Sequence, residues 1–143
     1  MFRKTLSIRW SDLDPNMHVR HSIYYDFGAQ ARTEILQNLG LGMTFMKEHK
    51  IGPVLFKEEC TFRRELHFGD QVVMDTHLLG LTKDGSRYQI EHTFLKGEDT
   101  FCARIIVTGA WMDTQKRKLT IPPDEAIKKM EGWPKADDFQ WIK

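Results

Sequence analysis

Neither sign of charge prevails in this chain of 143 residues: 21 Lys and Arg stand against 20 Asp and Glu, for a formal net charge of +1. Without a broad field of one sign, nucleic acid and an acidic membrane surface are not expected as partners, and a small or locally charged ligand is. Cysteine is nearly missing as well. Cys60 and Cys102 sit inside apolar, strand-like runs without metal-ligand spacing, so both are read as reduced, small core residues. No stretch has the length and apolarity needed to cross a bilayer, and the opening Met-Phe-Arg-Lys-Thr-Leu-Ser-Ile-Arg-Trp lacks the apolar segment of a signal peptide. A cytoplasmic location is expected. There is neither an internal repeat nor a low-complexity linker, and the length suits a single domain, 1–143, with a substantial core.

Reactive side chains, by contrast, are crowded into one place. Asp12, Asp14, Asn16, His18 and His21 fall directly before the strongest helical pattern in the chain. From Ser22 to Leu39 the apolar set Ile23, Phe27, Ala31, Ile35, Leu36 and Leu39 recurs at threes and fours, with Ser22 as the expected N-cap and Gly40 as the stop. Acids, an amide and imidazoles therefore gather at a helix N-terminus, a place suited to binding or generating negative charge.

The rest of the chain reads as scaffold. Residues 2–10 alternate at period two, and Pro15 pushes Asp14 out of helical geometry after them. Residues 43–50 form a short helix candidate, and Gly52-Pro53 breaks the pattern before a strand over 54–66. Gly69-Asp70 turns the chain into a strand from Val72 to Leu78, Asp84-Gly85 forms a hairpin into Tyr88–Phe94, and 96–99 turns into a buried strand over 100–113. Pro122-Pro123 opens a last short helix, and 131–143 reads as a tail with Trp133 and Trp141. One strand, a long helix and four successive strands predict an α+β domain: an antiparallel five-stranded sheet curved around a central helix.

The run Asp12-Leu-Asp14-Pro-Asn16-Met-His18-Val, with Tyr24, Ala31-Arg32-Thr-Glu and Gly69-Asp70 after it, resembles the hotdog-fold acyl thioesterases. More narrowly, it is similar to the 4-hydroxybenzoyl-CoA thioesterase group and to acyl-ACP thioesterases. The resemblance implies hydrolysis of an acyl thioester of CoA or acyl carrier protein without metal or cofactor, in a homodimer or homotetramer with active sites at subunit interfaces. Carried over by position, Asp14 is the catalytic carboxylate, as general base or nucleophile, and the backbone N–H of His21 polarises the thioester carbonyl. Asn16 and His18 match the acyl-ACP pattern, and Glu65 matches the acid those enzymes carry on the next strand. Two departures stand out. The common His-Val-Asn-Asn is His18-Val19-Arg20-His21 here, and the acid usual in mid-helix is replaced by Ala29 or Gln30.

The chemistry can be stated without the family. Thioester hydrolysis needs a group that delivers or activates water, and donors aimed where the carbonyl oxygen becomes negative. Asp14 and the free N–H groups near residues 21–24 meet both needs. Asp is a weak base at its usual pKa of about 3.9, so His18 stands as the alternative base or as the group aligning Asp14 and water. Each residue also has a plain reading: Asp12, Asp14 and Asn16 as turn and capping residues, Glu65 as a solvent-facing acid, and Tyr24 as helix packing that lines a pocket. His18 and His21 could share a metal, but no third ligand stands at a recognisable spacing, so none is expected. His49, His67, His77 and His92 show no partner pattern, and Arg63-Arg64 and Lys116-Arg117-Lys118 could meet the phosphates of CoA or an acidic carrier protein, although short basic clusters read more simply as solvated faces. A non-catalytic acyl-binding module of the same fold is the alternative function, and a dehydratase a weaker third.

Overall fold

Period-two patterns dictate strands, and the computed structural model, which describes residues 2–143, curls them around the one long helix. The elements in chain order are β1 (Phe2–Leu6), a 3-10 turn (Trp10–Asp12), α1 (His21–Asn38), α2 (Met43–His49), β2 (Ile51–Phe62) and β3 (Val72–Thr82). They continue with β4 (Arg87–Lys96), β5 (Thr100–Asp113), the two-residue β6 (Lys118–Leu119), α3 (Asp124–Met130) and β7 (Lys135–Ile142). The sheet runs β1-β3-β4-β5-β2, all antiparallel, with β6 added to β5 and β7 added parallel to β3. The five expected strands are its centre, and β6 and β7 bring the total to seven.

The core is the space between α1 and the concave sheet face. Ile23, Tyr24, Ala31 and Ile35 of α1 meet Val72, Met74 and Leu78 of β3, Ile90 and Phe94 of β4, and Ile105 and Val107 of β5 in one buried cluster. Two glycines permit close approaches, one between helix and sheet and one between strands of the sheet. A Cβ on Gly28 would stand 3.1 Å from the His92 ring, and one on Gly109 only 2.4 Å from the carbonyl oxygen of Val54.

Several boundaries differ from expectation for physical reasons. β1 stops at Leu6 because Asp12 captures the Arg9 N–H at 2.8 Å and bends the chain into the 3-10 turn. The Ser22 hydroxyl does not cap α1: Arg20 is the N-cap residue, and the hydroxyl accepts from Arg20 Nε instead. Gly52-Pro53 belongs to β2 rather than preceding it, which an edge strand tolerates because its outer side needs no N–H. The expected tail contains β7. Its run Lys-Ala-Asp-Asp-Phe-Gln-Trp-Ile hides a strand behind polar residues, because β7 is recruited by the free edge of β3 and only Ala136 in it is buried.

Candidate active site

Two loops meet at the N-terminus of α1. The Val19 N–H donates to the Leu66 carbonyl at 2.8 Å, and His18 and His67 pair as an isolated antiparallel bridge. This stitches the turn after the 3-10 segment to the chain leaving β2. The exit of β2 is itself steered by a bulge: Phe94 and Leu95 pair with Ala103 and Phe101, leaving Cys102 as the extra residue. Its carbonyl then accepts from the N–H groups of both Arg63 and Arg64.

The two aspartates separate at this junction. Asp12 is buried, and its carboxylate accepts from the Arg9 backbone and guanidinium. Burial alone would raise its pKa, but those Arg9 hydrogen bonds outweigh it and hold the group below the usual carboxylate range. Asp12 is thus a structural anchor, and its own carbonyl accepts the Arg20 N–H just before the helix begins. Asp14 is half-buried and faces a cleft. Its Oδ1 accepts from the Asn16 and His18 N–H groups at 2.9 and 3.2 Å, a turn closed by Met17 at φ 64°. No hydrogen bond to Oδ2 is present among the described residues.

The cleft, about 330 Å³, is lined by Asp14, His18, Val19, His21, Tyr24 and the run 62–65. Five of the six expected site residues, Asp14, His18, His21, Tyr24 and Glu65, therefore share one cavity. Asn16 does not line it; its side chain is exposed, and its backbone N–H fixes Asp14. The first-turn N–H groups of His21 and Ser22 make no hydrogen bond among the described residues, as an uncapped helix N-terminus implies. Tyr24 lies under the cleft, edge-on to Phe62 and Phe94 at 5.0 and 5.1 Å, and burial raises its phenol to about 12, so it stays protonated. Cys60 is no nucleophile either: burial, then the charge of Glu58, pushes its thiol to about 11.

Arg63 and Arg64 also line the cleft, although the pair reads in sequence as an ordinary solvated face. Their place depends on the Cys102 bulge, for which the sequence carries no signal. His67 is the other addition. Its ring lies 4.9 Å from that of His18, and donor atoms of His18, Glu65 and His67 come within 4.8 Å of one another, a set that could hold a divalent ion. His21, expected beside His18 in any such set, is not part of it. Two of its three members, Glu65 and His67, come from the far segment, at no spacing to His18 that a sequence reading could find.

A curled antiparallel sheet wrapped around one long helix, with polar groups collected at the helix N-terminus, defines the hotdog fold. Residues 8–130 match the thioesterase-like superfamily, and the chain belongs to that family. Among solved structures it is similar to YbaW, a probable thioesterase from Escherichia coli, at 22% identity and TM-score 0.82 over 94% of this chain and 100% of that one. It is also similar to a 1,4-dihydroxy-2-naphthoyl-CoA thioesterase from Synechocystis, at 14% identity and TM-score 0.80 over 92% and 96% of the two chains. A Staphylococcus aureus protein solved in complex with CoA shows 16% identity and TM-score 0.85, over 99% and 87%. Identities this low speak for the shared fold alone. No curated protein sequence matches the chain.

Proposed function

We propose that the protein hydrolyses acyl-CoA thioesters, with Asp14 as the reacting carboxylate. One observation carries the reading: a carboxylate held through Oδ1, with Oδ2 free of hydrogen bonds among the described residues, shares a cleft with an uncapped helix N-terminus. The thioester carbonyl oxygen sits against the N–H groups of His21 and Ser22, where the helix dipole favours the negative charge that develops on it. Asp14 activates water, or attacks the carbonyl carbon itself. His18 and Glu65 hold that water and take part in relaying its proton. Asn16 acts through the backbone by fixing Asp14. Arg63 and Arg64 offer cations to the phosphates of CoA at the cleft mouth. The Synechocystis enzyme, a thioesterase of a CoA ester, and the S. aureus protein in complex with CoA favour CoA as the thiol carrier.

The sites are read as belonging to a homodimer. β2 is a 12-residue strand paired on one side only, to β5, and it presents Leu55, Phe56 and Phe62 at 42–53% exposure. So long an edge bearing apolar side chains is a natural place for a second copy to pair.

Thiol release from a panel of short, long and aromatic acyl-CoAs, with one acyl carrier protein thioester alongside, tests the reading. Wild type is expected to release thiol from at least one CoA substrate. Asp14→Ala is expected to lose at least about a hundredfold in kcat/KM while folding normally, within the range for a positioned base or nucleophile. Equal activity in both proteins overturns the assignment of Asp14. Saturable acyl-CoA binding without thiol release in wild type makes the protein a binding module, in which the bonds to Asp14 Oδ1 serve only the turn.

A further inference from the structure

The middle of α1 carries a cation that the candidate active site does not use. The Arg32 side chain is only 12% exposed, and its nearest carboxylate, Glu58 Oε2 on β2, lies 3.7 Å from Nη2, beyond hydrogen-bond reach. Its Nη1 lies 2.9 Å from His92 Nε2. Arginine can only donate, so Nε2 accepts; the ring proton is on Nδ1 and donates to Thr76 Oγ1 at 2.8 Å. His92 is fully buried, and burial, then the Arg32 charge, holds its pKa down to about 3, so the imidazole is neutral and brings no counter-charge. Of the five N–H donors on the guanidinium, one has an acceptor among the described residues. Burial accordingly lowers the pKa of Arg32, against the pull of Glu58. A half-buried charge with so few partners favours an acceptor that can reach its remaining donors.

Beside Arg32 lies a cavity of about 200 Å³, walled by Leu36, Tyr88, Ile90, Trp111 and Trp133. Both tryptophans are buried, at 1% and 2% exposure, and neither indole N–H has an acceptor among the described residues. Those N–H groups have no accessible surface, so the tryptophans enter the cavity wall as apolar rings and Arg32 is the one charged group on it among the described residues. No acidic residue lines the space, and it shares no residue with the Asp14 cleft. Arg32 is 11 residues along α1 from His21, about 16 Å at 1.5 Å per residue.

Donors in excess, acceptors missing and apolar walls define the ligand by its chemistry. A cation would meet Arg32. A neutral hydrocarbon would leave every donor unpaired. A nucleotide would set its sugar and phosphates against apolar walls. We propose that this cavity binds a small apolar carboxylate, whose oxygens take the free donors of Arg32 while its hydrocarbon body lies among Leu36, Ile90 and the two tryptophans. Such acids are also the product class of a thioester hydrolase, but the inference rests on the cavity and not on that activity.

The test is direct binding to the full-length protein by calorimetry and tryptophan emission, with hexanoate and benzoate against hexanamide and benzamide. At least one acid is expected to bind saturably and perturb the emission, with its amide at least tenfold weaker. Arg32→Gln is expected to lower acid affinity at least tenfold. Because Arg32 is buried, Ala29→Phe serves as the second variant: Ala29 is exposed on the same cavity, and a ring there fills the space without removing an interior contact. It should reduce acid binding by a similar factor in a protein of unchanged circular dichroism. Asp14→Asn, which abolishes thiol release on the hydrolytic reading, should bind the acid as wild type does, so failure of either idea shows separately. The proposal is overturned by absence of saturable acid binding at millimolar ligand, by an amide that binds as well as its acid, or by undiminished binding in folded Ala29→Phe.

Discussion

Individual residues here are defined by what their neighbours leave for them to do. Asp12 and Asp14 are alike in sequence, but Arg9 surrounds one carboxylate and two N–H groups fix only one oxygen of the other. His92 shows the same rule for an imidazole: with Arg32 donating to one nitrogen and Thr76 accepting from the other, the ring is neutral by construction. Its folded pKa of about 3 lies below the unfolded value of about 6.5, so between these limits the unfolded chain holds the extra proton. The contribution of neutral His92 is thus complete above about pH 6.5 and is lost as the pH falls toward about 3. Between about pH 7.5 and about pH 5 this amounts to a loss of about 2 kcal/mol. Urea titrations at the two pH values should show that loss in wild type and a clearly smaller one in His92→Gln. An equal loss in both would mean that another group drives the acid sensitivity.

At the scale of elements, the meeting of strand ladder and helix end makes the cleft, and this divides what the sequence reveals from what it hides. The order of strands and the long helix were legible because their apolar periods are local. The cluster from Asp12 to His21 was legible for the same reason, being contiguous with the helix start. The place of Arg63 and Arg64 in the cleft was not, because it depends on the Cys102 bulge, and neither was that of His67 beside His18, which depends on the pairing of the two segments. The buried partnership of Arg32 with His92 spans 60 residues and has no local signature. β7 was missed because the edge it joins, and not its own alternation, determines it. The packing of β5 against its neighbours gives an element-scale test. Gly109 faces the Val54 carbonyl and the Tyr88 hydroxyl, where a Cβ would come within 2.4 and 2.6 Å of oxygen. Gly109→Ala is expected to lower stability by about 1–3 kcal/mol or more, since backbone must move to admit the methyl. An unchanged urea midpoint would show that β2 and β5 part without cost.

For the whole molecule, the expected association through β2 is open to a simple measurement. Phe56, half exposed where the β2–β5 register shifts, can be changed to Lys without opening a core cavity. Light scattering should give a two-chain mass for wild type and a shift toward one chain for Phe56→Lys; a wild type of one-chain mass would remove the dimer from the proposal. No helix among the described residues is long and apolar enough to cross a membrane. The opposite border of the sheet has its own consequence. There β1 covers β3 over residues 72–76 and β7 covers it over 78–82, one antiparallel and the other parallel. A strand arriving from another molecule would meet two short segments of opposite polarity laid end to end, and no single backbone direction hydrogen-bonds well to both. Growth of the sheet is therefore permitted from one side only, so pairing through β2 uses up the growing side of both partners. On the proposed pairing, extension of the sheet ends at two copies, a protection against filaments that comes from the direction of the backbone and needs no guarding charge.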